Sequence, residues 1–154
     1  MSPQKLGTLT LRETPVLAGT DPIEVALRHM RDASLPALPV HDERDRLCGI
    51  FGEREFITAL FPGYLGQLTG ARFVSRSLDD DLKLRSGCAQ EPVANHVNSE
   101  HIAVGQDFSD AELAETFLHH RVLIIPVVDE RRRVVGVITR RDFFWALAER
   151  FLGG

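Results

Sequence analysis

The sequence predicts an α+β fold: two β-α-β-β-α units packed about a pseudo-twofold axis. Three observations lead there. The first is a strand–turn–strand signal from Val122 to Thr139, with two β-branched runs flanking a short polar turn, Asp129 to Arg133. The second is an internal repeat. Leu38-Pro39-Val40-His41-Asp42 recurs as Ile125-Pro126-Val127-Val128-Asp129, and Gly49 to Glu55 recurs as Gly136 to Asp142, each 87 positions later (39 to 126, 55 to 142). The third is helical spacing ahead of each hairpin, where Ile23, Ala26, Leu27 and Met30 fall on one face.

Taken in order, residues 1–14 are a lead-in. Pro15 to Gly19 is a short strand. A helix then opens at Thr20-Asp21-Pro22-Ile23-Glu24: Asp21 is placed to cap, Pro22 suits the first turn, and Glu24 completes a capping box. Ala37 to His41 is a strand, Asp42 to Arg46 a turn, and Leu47 to Phe51 a strand. Glu53 to Leu60 is a helix stopped by Pro62-Gly63. The first unit, with its lead-in, is 1–61.

Residues 62–92 separate the units. Gly63, Gly66 and Gly70 loosen the first part, and Ser77-Leu-Asp-Asp80 reads as the start of a helix running to about Cys88. The carboxylates of Asp79 to Asp81 suit a solvated helix N-terminus better than a metal, since no other ligands converge in sequence. The second unit is 93–154. Ile102-Ala103-Val104 is its short strand. Asp107 or Ser109 caps a helix to His120 with Leu113, Ala114, Phe117 and Leu118 as its apolar face. The hairpin follows, its runs apolar on nearly every residue and so buried on both faces. A last helix runs from Arg140 to about Phe151. A unit of about fifty residues buries too little surface alone, so the two should stack.

Composition narrows the function. The chain has 154 residues, 44% of them hydrophobic, and a net charge of −4. That is a globular chain without the basic footprint of a nucleic-acid binder. No apolar run approaches the ~18 residues that span a bilayer. Met-Ser-Pro-Gln-Lys carries no signal-peptide apolar region, so the expected location is cytoplasmic. Cys48 lies in an expected buried strand and reads as a small core side chain. His96 and His101 have a poor zinc spacing, and His119-His120 suit a helix C-terminus, so no metal site is expected. No Ser/His/Asp ordering or Walker-type glycine loop points to an enzyme.

The order of short strand, helix, hydrophobic-Pro-Val-hydrophobic-Asp and then Gly-hydrophobic-hydrophobic-Thr-x-x-Asp resembles the CBS domain, named after cystathionine β-synthase. Two in tandem resemble a stand-alone Bateman module. The resemblance covers about 10–61 and 93–150 and is stronger in the second unit. It implies a regulatory, non-catalytic module that binds an adenosine nucleotide (AMP, ADP, ATP) or an S-adenosyl ligand between the repeats. It further implies that Asp142 accepts from the ribose hydroxyls, that Thr139 faces phosphate and that Val137 lines the site. Val16, Leu17 and Ala18, with Leu35 and Pro36, would sandwich the base. Arg140 and Arg141 are either phosphate partners or solvated helix side chains. A second cleft would hold Gly52 and Glu55 in place of Thr and Asp, with walls from Ile102, Ala103, Val104, Leu123 and Ile124, and would be weak or empty.

Plainer readings stand beside these. Thr139 with Asp142, and Gly52 with Glu55, also fit helix caps. Arg131 to Arg133 is a solvated hairpin tip, or else a partner-docking or anion site. Phe143, Phe144, Trp145 and Phe151 make the last helix apolar nearly all round, which calls for a second buried face and so a homodimer through the terminal helices of the two repeats. The alternative to a nucleotide sensor is therefore a ligand-free dimerisation scaffold. The regulated partner protein is not legible.

Overall fold

The computed structural model describes residues 11–61, 86–100 and 102–153. It contains two three-stranded sheets. The first comprises β1 (Leu17–Ala18), β2 (Ala37–His41) and β3 (Leu47–Gly52), with α1 (Ile23–Ala33) between β1 and β2 and α2 (Glu53–Leu60) after β3. The second comprises β4 (Val104–Gly105), β5 (Ile124–Val128) and β6 (Val134–Thr139), with α3 (Asp110–His119) between β4 and β5 and α4 (Arg140–Gly153) at the end. Each sheet joins a parallel edge pair to an antiparallel hairpin.

The duplication extends to fine detail. Pro39 faces Ile50 as Pro126 faces Val137, and the ladder slips at Val40/His41 as it does at Val127/Val128. β1 pairs only with Val40 and His41, leaving unpaired the edge beside Pro39, which is where a strand tolerates proline. The turns match too. Asp42 accepts from the Arg44 and Arg46 N–H groups, and Asp129 from those of Arg131 and Arg133. Asp45 and Arg132 take the left-handed conformation at the same step. The backbone N–H of Arg46 pulls the Asp42 carboxyl below its ordinary pKa, and that of Arg133 does the same for Asp129.

The repeats interlock. The lead-in of each adds a bridge to the third strand of the other: Arg12 to Val137, and Asn98 to Ile50. The Leu47 N–H also donates to the Arg132 carbonyl at 2.9 Å. Ile124 and Val137, fully buried, belong to the core built on Leu17, Leu38, Val40 and Phe51. A second core gathers Leu113, Ile125, Val127, Ile138 and Phe143. The first core thus draws on both repeats, while the second is built from the second repeat alone.

Helix ends show where the sequence reading needs correction. Asp21 does not cap α1; its Oδ2 accepts from the Ala18 N–H at 2.8 Å, and Pro22 holds the cap position without a side-chain bond. Glu24 turns outward to Arg28 and Gln90 instead of closing a capping box. The first N–H of α1, on Ile23, finds the Glu91 carbonyl of the inter-repeat segment. Ser109, not Asp107, caps α3. Leu118 is 85% exposed, although it falls on the apolar period of α3. Of the helix expected over 77–88, the stretch 77–85 lies outside the described residues, and Ser86–Gln90 forms a 3₁₀ turn. Asp79 to Asp81 likewise lie outside them. Cys48 is half-buried and Cys88 buried.

Candidate functional site

β6 runs directly into α4. The hydroxyl of Thr139 accepts from the Asp142 N–H at 3.0 Å, the first-turn cap that the Thr-x-x-Asp spacing foretells. Thr139 is 4% exposed. The Asp142 carboxylate does not reach back to complete a capping box. It meets Arg12 in a fork, Nε to Oδ2 at 2.6 Å and Nη2 to Oδ1 at 2.9 Å. Arg12 is positioned by its own backbone, which exchanges hydrogen bonds with Val137 at 2.9 and 3.0 Å. The guanidinium holds the Asp142 carboxyl below its ordinary pKa, and Asp142 in turn raises that of Arg12.

Beside this pair opens a cleft of about 640 Å³, within the usual range for small-molecule sites. Its floor and walls come from both repeats. Met30, Ser34, Leu35 and Pro36 enter from the end of α1 and the approach to β2, and Glu53 from the start of α2. Leu123 precedes β5, and Thr139, Arg140, Arg141 and Phe144 come from the start of α4. Arg12 and Arg31 complete it. The cleft therefore lies where the N-termini of α2 and α4 both arrive. Four arginines and one glutamate line it, and among the described residues Arg140 and Arg141 form no ion pair.

Of the residues singled out in sequence, the fold brings Thr139, Arg140, Arg141, Leu35 and Pro36 into this one cleft. Asp142 stands at its edge behind Arg12. Leu123, expected in the other cleft, lines this one because its carbonyl receives the Arg140 N–H at 2.9 Å and ties it to α4. Val137 and Leu17 are buried in the shared core, and neither they nor Val16 and Ala18 line the cleft. Gly52, Ile102, Val104 and Ile124 are buried. Ala103 and Glu55 are partly so. Glu55 Oε1 accepts from the Gly52 N–H at 2.9 Å, and desolvation raises its carboxyl pKa. Arg12, Met30, Arg31, Ser34, Glu53 and Phe144 were not anticipated. Arg12 bridges Val137 as Asn98 bridges Ile50, so in the structure the lead-in is part of the repeat.

The comparisons agree with the repeat and the fold. The CBS domain matches the chain twice, over residues 6–62 and 93–149. The chain belongs to the CBS domain family. Its fold is that of CBSX2 from Arabidopsis thaliana, a CBS-pair protein, at a TM-score of 0.72 over 100% of both chains with 17% identity. A structure of CBSX2 in complex with AMP superposes at 0.65, with 18% identity over 95% of this chain and 96% of that one. Inosine-5'-monophosphate dehydrogenase of Methanocaldococcus jannaschii is 22% identical over 90% of this chain, and that of Streptococcus pyogenes is 40% identical over 33%. The chain spans 23% and 10% of those enzymes. Among the described residues no helix is long and apolar enough to cross a membrane, and no three potential ligands converge as for a metal.

Proposed function

We propose that this CBS pair is a regulatory module that binds an adenosine nucleotide or related adenosyl ligand and has no catalytic activity of its own. The carrying observation is the cleft between repeats. A capped helix N-terminus, Thr139, Arg140 and Arg141 offer a phosphate site. Asp142 at the edge offers two acceptors for a ribose diol. Ligand contacts to both repeats would favour one packing of the pair, and a partner protein would read the change. The AMP complex of CBSX2 supports the ligand class. The experiment is thermal unfolding against AMP, ADP, ATP and S-adenosylmethionine. A ligand at 100 times its dissociation constant adds about 2.7 kcal/mol, several degrees here. The shift should shrink in Asp142→Ala. No shift with any of the four overturns the proposal.

A second reading rests on α4. Phe144, Trp145, Leu147, Phe151 and Leu152 are all exposed on it, the last two above 80%. We propose that this face pairs with a second copy, so that the module is a homodimer whether or not it holds a ligand.

A further inference from the structure

Asp142, the acceptor on which ribose recognition depends, is already engaged. Both of its oxygens receive N–H groups from Arg12. A diol that takes the lone pairs now facing Arg12 must displace this guanidinium. Arg12 cannot withdraw far, because its backbone is fastened to Val137 and its side chain lines the cleft. The surroundings it would turn into are cationic: Arg140, Arg141 and Arg31, with Glu53 as the one acid among the lining residues. A released guanidinium there, 41% exposed, is left to water unless the ligand brings a new anion.

We infer that Arg12 selects the ligand, admitting nucleotides with a phosphate chain and turning away uncharged nucleosides and S-adenosyl compounds. A nucleotide gives its diol to Asp142 and its phosphate to Arg12 in one exchange, replacing a forked carboxylate pair with a forked phosphate pair. A nucleoside supplies only the diol and leaves Arg12 unpaired. A sulfonium adds a further cation to the arginines. This inference rests on the adenosine-ligand reading and specifies the ligand within it.

The test is calorimetric titration of the full chain with adenosine, AMP, ATP and S-adenosylmethionine at fixed ionic strength, for the wild type, Arg12→Ala and Arg12→Gln. The wild type should bind in the order ATP, AMP, adenosine, with S-adenosylmethionine below AMP and about tenfold or more between ATP and adenosine. Both variants should weaken ATP, tighten adenosine and S-adenosylmethionine, and bring the ratios toward one. Equal weakening of all four by either variant assigns Arg12 a structural role and overturns the inference. Equal binding of adenosine and ATP by the wild type overturns it while the adenosine reading stands. No binding of any of the four overturns both. The glutamine variant carries the test if the alanine variant fails to fold.

Discussion

A Cβ placed on Gly52 would lie 2.5 Å from the Cβ of Ala37 and 2.8 Å from the Pro36 carbonyl oxygen. The two residues face each other across the β2–β3 ladder, in the register that sets Thr139 opposite Ile124 in the other repeat. Gly52 is extended, φ −153°, so the backbone makes no demand for glycine. Space does. The hydroxyl missing from the first motif is missing because the strands approach too closely there. Gly52→Ala should therefore lose about 1–3 kcal/mol of stability in denaturant unfolding, and Gly52→Thr more, through overpacking against backbone. Neither should create a second nucleotide site. An unchanged midpoint in Gly52→Ala would refute the steric account.

The Asp142–Arg12 pair predicts a pH dependence. Arg12 lowers the native pKa of Asp142, so the ionised form is favoured by folding. The contribution is complete above the unfolded value of about 3.9 and is lost as pH falls through the depressed native value. Side chains 41% and 24% exposed keep it small, up to about 1 kcal/mol. Asp142→Asn should be less stable than the wild type at pH 7, and the gap should close below about pH 4. A gap independent of pH would mean that the carboxylate charge contributes nothing.

Glu55 should show the opposite sign. Desolvation raises its native pKa, so folding favours the protonated form and the charge opposes folding once both states are ionised. Glutamine retains an oxygen for the Gly52 N–H. Glu55→Gln should be as stable as the wild type or more so at pH 7. Acidification toward the unfolded value of about 4.3 should remove any advantage. A marked loss at pH 7 would show that the carboxylate is held by a charged partner after all.

What could be read in sequence was local or periodic. Strands, hairpin turns and the constant spacing of Pro39 and Pro126 follow from short-range pattern, and β2 and α2 fall where the apolar runs and the Pro62-Gly63 stop place them. What escaped depends on which distant group arrives first. Asp21 had two N–H partners within reach and took the one in the β1 turn, since Glu91 already serves the helix. Arg12 lies 130 residues from Asp142, a separation no local pattern crosses. Leu123 and Pro36 belong to one cleft only because two helix N-termini converge there. Leu118 fits the helical period of α3 yet is exposed, which period alone does not reveal.

The last helix supplies the remaining prediction. α4 buries Phe143 and Ala146 against the second core, with Phe117 stacked on Phe143 at 5.4 Å. The neighbouring positions Phe144, Trp145, Phe151 and Leu152 face outward. One stripe therefore serves the fold, and the other is available to a second copy, so substitutions on the two should separate. Phe143→Ala should cost about 3–5 kcal/mol of stability, as for a large core aromatic. Phe151→Glu with Leu152→Glu should leave the melting of the monomer nearly unchanged and halve the sedimenting mass at micromolar concentration, because a charge on a closely packed apolar interface has no partner. Trp145 gives an independent readout, since its emission should shift to longer wavelength as the interface opens to water. A wild-type chain that sediments as a monomer at that concentration would exclude the dimer and leave this face to another protein.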